Sequence, residues 1–331
     1  MTRHLPKAEL HVHLEGTATP NLVRRLALRN RMAVPDGLFR DDGTFAWDGF
    51  LDFLKAYDGA AATIRTERDY RDVTYEYLVA CAAEGAIYVE VMSSPDHAAQ
   101  AGLSYQGHVE GIARGIEDAR AETGIEGRCI VTCVRHFGVE RALEVARLTV
   151  RHPHPLVTGF GMGGDEAGYP PAQFAEVYRI AREEAGLACT THAGEWGPPE
   201  QIRKALELPV TRLGHGVRSV EDPALVEEIA ARGIVLEVCP TSNIATGIYD
   251  GYAAHPLPTL MAAGVKVTLN SDDPPYFATT IGREYEIGGR EFGLSDETLL
   301  GLTRTALEAA FVDEETRARL LERLNRPSSS W

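Results

Sequence analysis

Short apolar, β-branched runs alternate along this chain with stretches in which Ala, Leu, Glu and Arg recur at helical spacing. The runs cover 10–14, 86–92, 129–134, 157–160, 188–191, 212–214, 234–238 and 265–269. Helical periodicity follows most of them, at 104–123, 139–151, 171–186, 199–207, 222–232 and 256–263. Strands this continuously apolar are covered on both faces, which is the mark of a parallel sheet wrapped by helices. Eight β–α units predict a closed (β/α)8 TIM barrel, with a doubly wound open sheet as the competing architecture.

Two segments fall outside the repeat. Residues 36–60 carry Phe39, Phe45, Trp47, Phe50, Leu51, Phe53, Leu54 and Tyr57, between the first strand and a helix expected at 67–84. This segment is too long and too aromatic for a plain connection. It reads as an inserted helical hairpin near the site, with a lid over the site as the alternative. Residues 295–325 read as C-terminal helices, with Ser295 as N-cap. No repeat of 20–50 residues and no low-complexity linker divides the chain, so 1–331 is expected to be a single domain with a frayed tail at 327–331.

Composition narrows the class further. Of 331 residues, 44% are hydrophobic and 24% charged, as in an ordinary globular enzyme. The net charge of −15, with scattered basic residues, argues against a nucleic-acid polymer as partner. No run approaches the roughly 18 apolar residues that span a bilayer, and the N-terminus lacks an apolar signal core. A cytoplasmic location is expected, without a membrane partner and with the oligomeric state open. Five cysteines without a C-x-x-C pair suggest neither a disulfide framework nor a thiolate zinc site.

Chemistry enters with His11-Val12-His13 at the end of the first strand. Side chains two apart on a strand share a face, about 6.5 Å apart at the backbone, so both imidazoles can reach one ion at about 2.0–2.1 Å. Alone, the pair fits packing histidines as well. His192, ending the fifth strand, and Asp272, following the eighth, change that balance. A parallel barrel opens all its strand C-termini on one face, which brings the four together. Three imidazoles and a carboxylate suit Zn²⁺ with a position left for water. Two-metal barrel hydrolases usually bridge their ions with a modified lysine, and the lysines here are only Lys7, Lys55, Lys204 and Lys266. One Zn²⁺ is therefore expected.

Three further residues cluster with these. Glu195 lies three residues beyond His192, and a carboxyl beside an apolar pocket has a raised pKa suited to protonating a ring nitrogen. His215, between Gly214 and Gly216, reads as orienting or deprotonating the attacking water. Asp273 adjoins Asp272, and adjacent carboxylates repel unless each has its own partner, here a metal and a substrate donor. The run Gly161-Met162-Gly163-Gly164 allows the backbone to approach a flat ligand. His13-Leu14-Glu15 matches half of the cytidine-deaminase zinc signature, but the P-C-x-x-C half is absent, which excludes that fold.

Taken together these motifs resemble the adenosine deaminase family of the amidohydrolase superfamily. The matching segments are Pro6-Lys7-Ala8-Glu9-Leu10-His11-Val12-His13-Leu14-Glu15-Gly16, Gly163-Gly164-Asp165-Glu166, Thr191-His192-Ala193-Gly194-Glu195, Leu213-Gly214-His215-Gly216, Val238-Cys239-Pro240-Thr241-Ser242-Asn243 and Asn270-Ser271-Asp272-Asp273-Pro274. They stand in family order across nearly the whole chain.

The resemblance implies zinc on His11, His13, His192 and Asp272, with Glu195 protonating purine N1. It implies that His215 and Asp272 position hydroxide at C6, that Asp273 holds N7 and that the Gly164 amide donates to N3, with His13 and Glu15 also lining the substrate. The implied reaction is zinc-dependent hydrolytic deamination of a 6-aminopurine nucleoside, adenosine to inosine first. Glu15 departs from the Asp that contacts the ribose 5′-hydroxyl in adenosine-specific members. The alternatives are therefore adenine or a 5′-modified adenosine such as aminodeoxyfutalosine or a thio-nucleoside. Against adenine stands Gly164-Asp165-Glu166, where the adenine deaminases compared carry serines before the Glu.

Overall fold

All eight expected strands form, and in a computed structural model describing residues 2–326 they build one parallel sheet whose order follows the sequence. They are β1 (Lys7–His13), β2 (Ala86–Ser93), β3 (Glu126–Val134), β4 (Val157–Gly163), β5 (Ala188–Ala193), β6 (Arg212–His215), β7 (Val235–Val238) and β8 (Lys266–Leu269). The sheet closes on itself just beyond β8. Leu10 N–H donates to Asn270 Oδ1 (2.9 Å), His13 N–H to the Asp272 carbonyl (2.9 Å) and Asp272 N–H to the His11 carbonyl (3.2 Å). The fold is a (β/α)8 barrel. The tail expected at 327–331 lies outside the described residues.

Two strands, β1 and β3, begin earlier than apolar patterning predicts, because charged residues at their starts are buried and partnered. Lys7 Nζ donates to the carbonyls of Thr2, Leu5 and Glu84 at 2.9, 2.9 and 2.7 Å. At the start of β3, Glu126 pairs with Arg128 at 2.6 Å and with Arg319 at 2.8 Å. Replacing Lys7 by Met leaves buried carbonyls without a donor, and should cost roughly 2–4 kcal/mol, read as a lower urea midpoint at unchanged slope. A midpoint within error of the parent's would show that water satisfies those carbonyls instead.

Between Glu9 and Val12 β1 carries one residue more than the facing stretch of β2, since Glu9 pairs with Val89 and Val12 with Val91. Such a bulge changes which side chains share a face. Glu9 bonds Tyr77 of the helix Glu67–Ala83 and Ser271, whereas His11 bonds Glu237 of β7.

Helices form near each expected position, joined by Pro20–Arg29, Pro95–Gln100 and Ile281–Glu291, which periodicity did not single out. The segment 36–60 is not a helical hairpin. Its first half is a loop pinned by an isolated antiparallel Phe39–Phe45 bridge, and only Phe50–Ala61 is helical. The turn Asp41-Asp42-Gly43 explains the difference, because Thr44 N–H donates to Asp42 Oδ1 (2.9 Å) and halts any helix there. The C-terminal helices Asp296–Ala309 and Glu314–Leu324 pack Ala306, Leu307, Leu320 and Leu324 against Ala8, Leu10, Ile87 and Tyr88 of the barrel. Among the described residues no helix is long and apolar enough to cross a membrane.

Candidate active site

His11, His13, His192 and Asp272 meet at the C-terminal mouth of the barrel, with their candidate ligand atoms all within 4.8 Å of one another. Asp272 Oδ1 lies 3.4 Å from His11 Nε2 and 3.3 Å from His13 Nε2, and the Nε2 atoms of His13 and His192 are 3.1 Å apart. His11 Nε2 is buried and lacks a hydrogen-bond partner. Convergent imidazole nitrogens and a carboxylate, with an orphaned buried donor atom among them, are the arrangement a divalent transition metal requires.

The outer atoms of the rings are held as metal-ligating imidazoles are held elsewhere. His11 Nδ1 bonds Glu237 Oε2 at 2.8 Å and His192 Nδ1 bonds the Met162 carbonyl at 2.9 Å. Ser242 Oγ donates to Asp272 Oδ2 at 2.7 Å. Asp272 and His215 both adopt left-handed backbone, at φ 64° and 59°, a conformation non-glycine residues seldom hold.

Charge is partitioned sharply within this cluster. Burial works against ionisation of Asp272, yet the close approach of the His11 and His13 imidazoles holds its carboxyl well below the usual carboxylate range. Burial pushes Asp273 upward, and the neighbouring Asp272 charge pushes it further. Two adjacent carboxyls are thus driven apart, Asp272 toward the ionised form and Asp273 toward the protonated one. Burial also keeps His192 well below its ordinary value and brings His215 down to about 3, so both are neutral. Burial lowers His11 too, but Asp272 and Glu237 outweigh it and raise it to about 10.

Glu195 is buried beside the cluster, its Oε2 lying 3.6 Å from His215 Nε2. Burial, with the charges of Asp272 and Glu166 adding to it, pushes its pKa well up. Sequence reading missed how this residue is held. The Glu166 carboxylate accepts from the backbone amides of Gly194, Glu195 and Trp196, fixing the turn that presents Glu195. His215 Nδ1 bonds the Asn243 amide at 3.2 Å, while Nε2 is buried without a partner.

The cavity over the cluster has about 90 Å³ of free space and is lined by His13, Glu15, Gly164, His192, Glu195, Asp272 and Asp273. Phe50, Phe53, Leu54 and Tyr57 of the helix Phe50–Ala61 roof it, and the Phe50 ring lies 4.9 Å from that of Trp196. Asp273 fits because residue 16 is glycine, where a Cβ would collide with its carboxyl. Glu15 is held at both carboxylate oxygens. Its Oε1 accepts from Ser93 Oγ (2.6 Å) and Ser94 N–H (3.3 Å), and its Oε2 from Tyr57 Oη (3.2 Å). The structure therefore brings together every site residue expected from sequence.

The adenosine deaminase family model matches residues 6–327. The chain belongs to the adenosine deaminase family. As a member it is a hydrolytic deaminase that cleaves a C–N bond. It is 51% identical over 321 residues to an adenine deaminase of Chelativorans sp. (strain BNC1), covering 97% of this chain and 98% of that protein. Among solved structures, adenine deaminase from Arthrobacter aurescens superposes with a TM-score of 0.90 at 33% identity, covering 97% and 98% of the two chains. An amidohydrolase from Burkholderia ambifaria with bound Zn gives 0.88 at 27% identity, covering 97% and 90%.

These names run against adenosine, the first expectation of the sequence, and toward its alternative, adenine. The criterion that had weighed against adenine also loses its force in the structure. Asp165 Oδ1 accepts from the Gly168 amide (3.0 Å) and Glu166 holds the 194–196 turn, so this tripeptide spends its side chains on backbone.

Proposed function

We propose that this chain hydrolyses free adenine to hypoxanthine and ammonia, using one Zn²⁺ held by His11, His13, His192 and Asp272. The observation that carries the choice of the free base is Glu15. The family resemblance puts this position beside the ribose of a nucleoside. Here the carboxylate is anchored by Ser93, Ser94 and Tyr57 under an aromatic roof, with one lone pair of Oε2 still available. Free adenine offers an N9–H to such an acceptor, whereas a nucleoside has a sugar there and no proton to give.

When bound, the ion supplies Lewis acidity that lowers the pKa of water toward about 7. The remaining work falls to the protein. Glu195, kept protonated by burial, delivers its proton to N1 and so makes C6 electrophilic. His215 orients the attacking water through Nε2, its ring nitrogen without a protein partner. Asp273, kept neutral, donates to N7, and the Gly164 amide donates to N3. Water adds to C6; one of its protons passes to the departing amino group and the other restores Glu195, so that ammonia leaves as the C6 carbonyl forms.

Metal-replete protein should release ammonia from adenine with a kcat/KM about 100-fold or more above that for adenosine, because the carboxylate loses its donor when N9 is substituted. Equal or preferred turnover of adenosine would reverse the assignment of Glu15.

A further inference from the structure

The barrel interior beneath the candidate metal cluster is not apolar. Glu90 of β2, Arg212 of β6 and Glu237 of β7 are all fully buried there. Arg212 Nη2 donates to Glu90 Oε2 at 2.6 Å, and its Nε lies 2.7 Å from Glu237 Oε1. The other oxygen of Glu237 bonds His11 Nδ1, and Thr190 Oγ1 donates to Oε1 at 3.0 Å.

The far end of this chain of contacts is tied to a segment outside the barrel. Arg212 Nη1 donates to the Ala309 carbonyl at 3.0 Å, and Phe311 N–H donates to Glu90 Oε1 at 2.6 Å. The Phe311 ring lies 3.5 Å from the Arg212 guanidinium and packs with Met92 and Ile130. It reaches that place because residue 159 is glycine, whose Cβ would stand 2.7 Å from the ring. A hydrogen-bonded and ion-paired path thus runs from the link between the two C-terminal helices, up the barrel axis, to an imidazole of the cluster.

Burying three charges carries a desolvation cost that an apolar filling would avoid. Other barrels of this architecture fill the same space with branched apolar side chains. What the charges provide is orientation. Arg212 is hydrogen-bonded to Glu90 and ion-paired with Glu237, and Glu237, bonded as well by Thr190, is held where it fixes the ring plane of His11.

We infer that Arg212 and Glu237 are positioning residues for His11, and that the Ala309–Phe311 link anchors them, so the C-terminal helices set metal affinity from the opposite end of the barrel. This rests on the reading of His11 as a metal ligand. The affinity of the full-length apo-protein for Zn²⁺, measured by competition with a chromogenic chelator, tests it.

Arg212→Lys keeps the charge and loses the fork, and should weaken Zn²⁺ binding about 10- to 100-fold. Phe311→Leu, which removes only the ring beneath the guanidinium, should weaken it several-fold while the protein stays folded by circular dichroism. Leu320→Ala serves as the control. It loosens the same helical pair without touching the path, so it should lower Tm and leave Zn²⁺ affinity unchanged.

In a His11→Gln background, Phe311→Leu should have no further effect on affinity, since its route to the ion is gone. Unchanged affinity in Phe311→Leu, or an equal loss in Leu320→Ala, overturns the inference. If His11→Gln itself binds Zn²⁺ as tightly as the parent, the ligand assignment fails instead, which separates the two readings.

Discussion

Glu195→Gln should lower kcat on adenine by about 10²–10⁴-fold while zinc content and fold are retained. The substitution is isosteric, keeps an acceptor toward the Glu195 neighbours and removes only the transferable proton. Its pH dependence follows from the direction of the shift. Burial raises the Glu195 pKa, so the protonated, active form persists to higher pH than for an ordinary carboxyl. Turnover should therefore fall as pH rises through that raised value, and the Gln variant should lack this descending limb. A pH–rate profile of both proteins decides the matter. A variant that turns over at the parental rate, or that keeps the same limb, would take the proton donor away from Glu195.

Asp272→Asn should cost turnover about 10³-fold or more and reduce bound metal below one ion per chain. Asparagine tolerates the left-handed conformation held at φ 64°, so the backbone stays in place and the loss reports charge. Without the carboxylate, His11 and His13 lose the negative partner that both of them face. Elemental analysis, together with activity before and after added Zn²⁺, measures both effects. Full metal occupancy with parental activity would remove Asp272 from the ligand set.

The barrel was legible because the signals that define it are local. Apolar runs gave β1 to β8, and His11 and His13 fall at strand spacing, so the mouth of the site could be assembled from strand ends alone. Where charge lies inside the barrel, the same logic misleads. Glu90, Arg212 and Glu237 interrupt apolar runs, and a lone Glu in Ile234-Val235-Leu236-Glu237-Val238 was the available hint of a partner for His11. Glu166 was hidden for a different reason. Its job is to hold three backbone amides, and backbone amides carry no sequence signature. The bulge in β1 is equally silent, since an extra residue in one strand shows only against its neighbour. Choosing between adenine and adenosine depends on how Glu15 is tied down by Ser93 and Tyr57, residues 78 and 42 positions away along the chain.

Met92 packs with Phe311 and Ile130 on one side and lines the cavity on the other. One side chain therefore stands between the anchor of the C-terminal helices and the seat of the reaction, so a change in its volume would be felt at both.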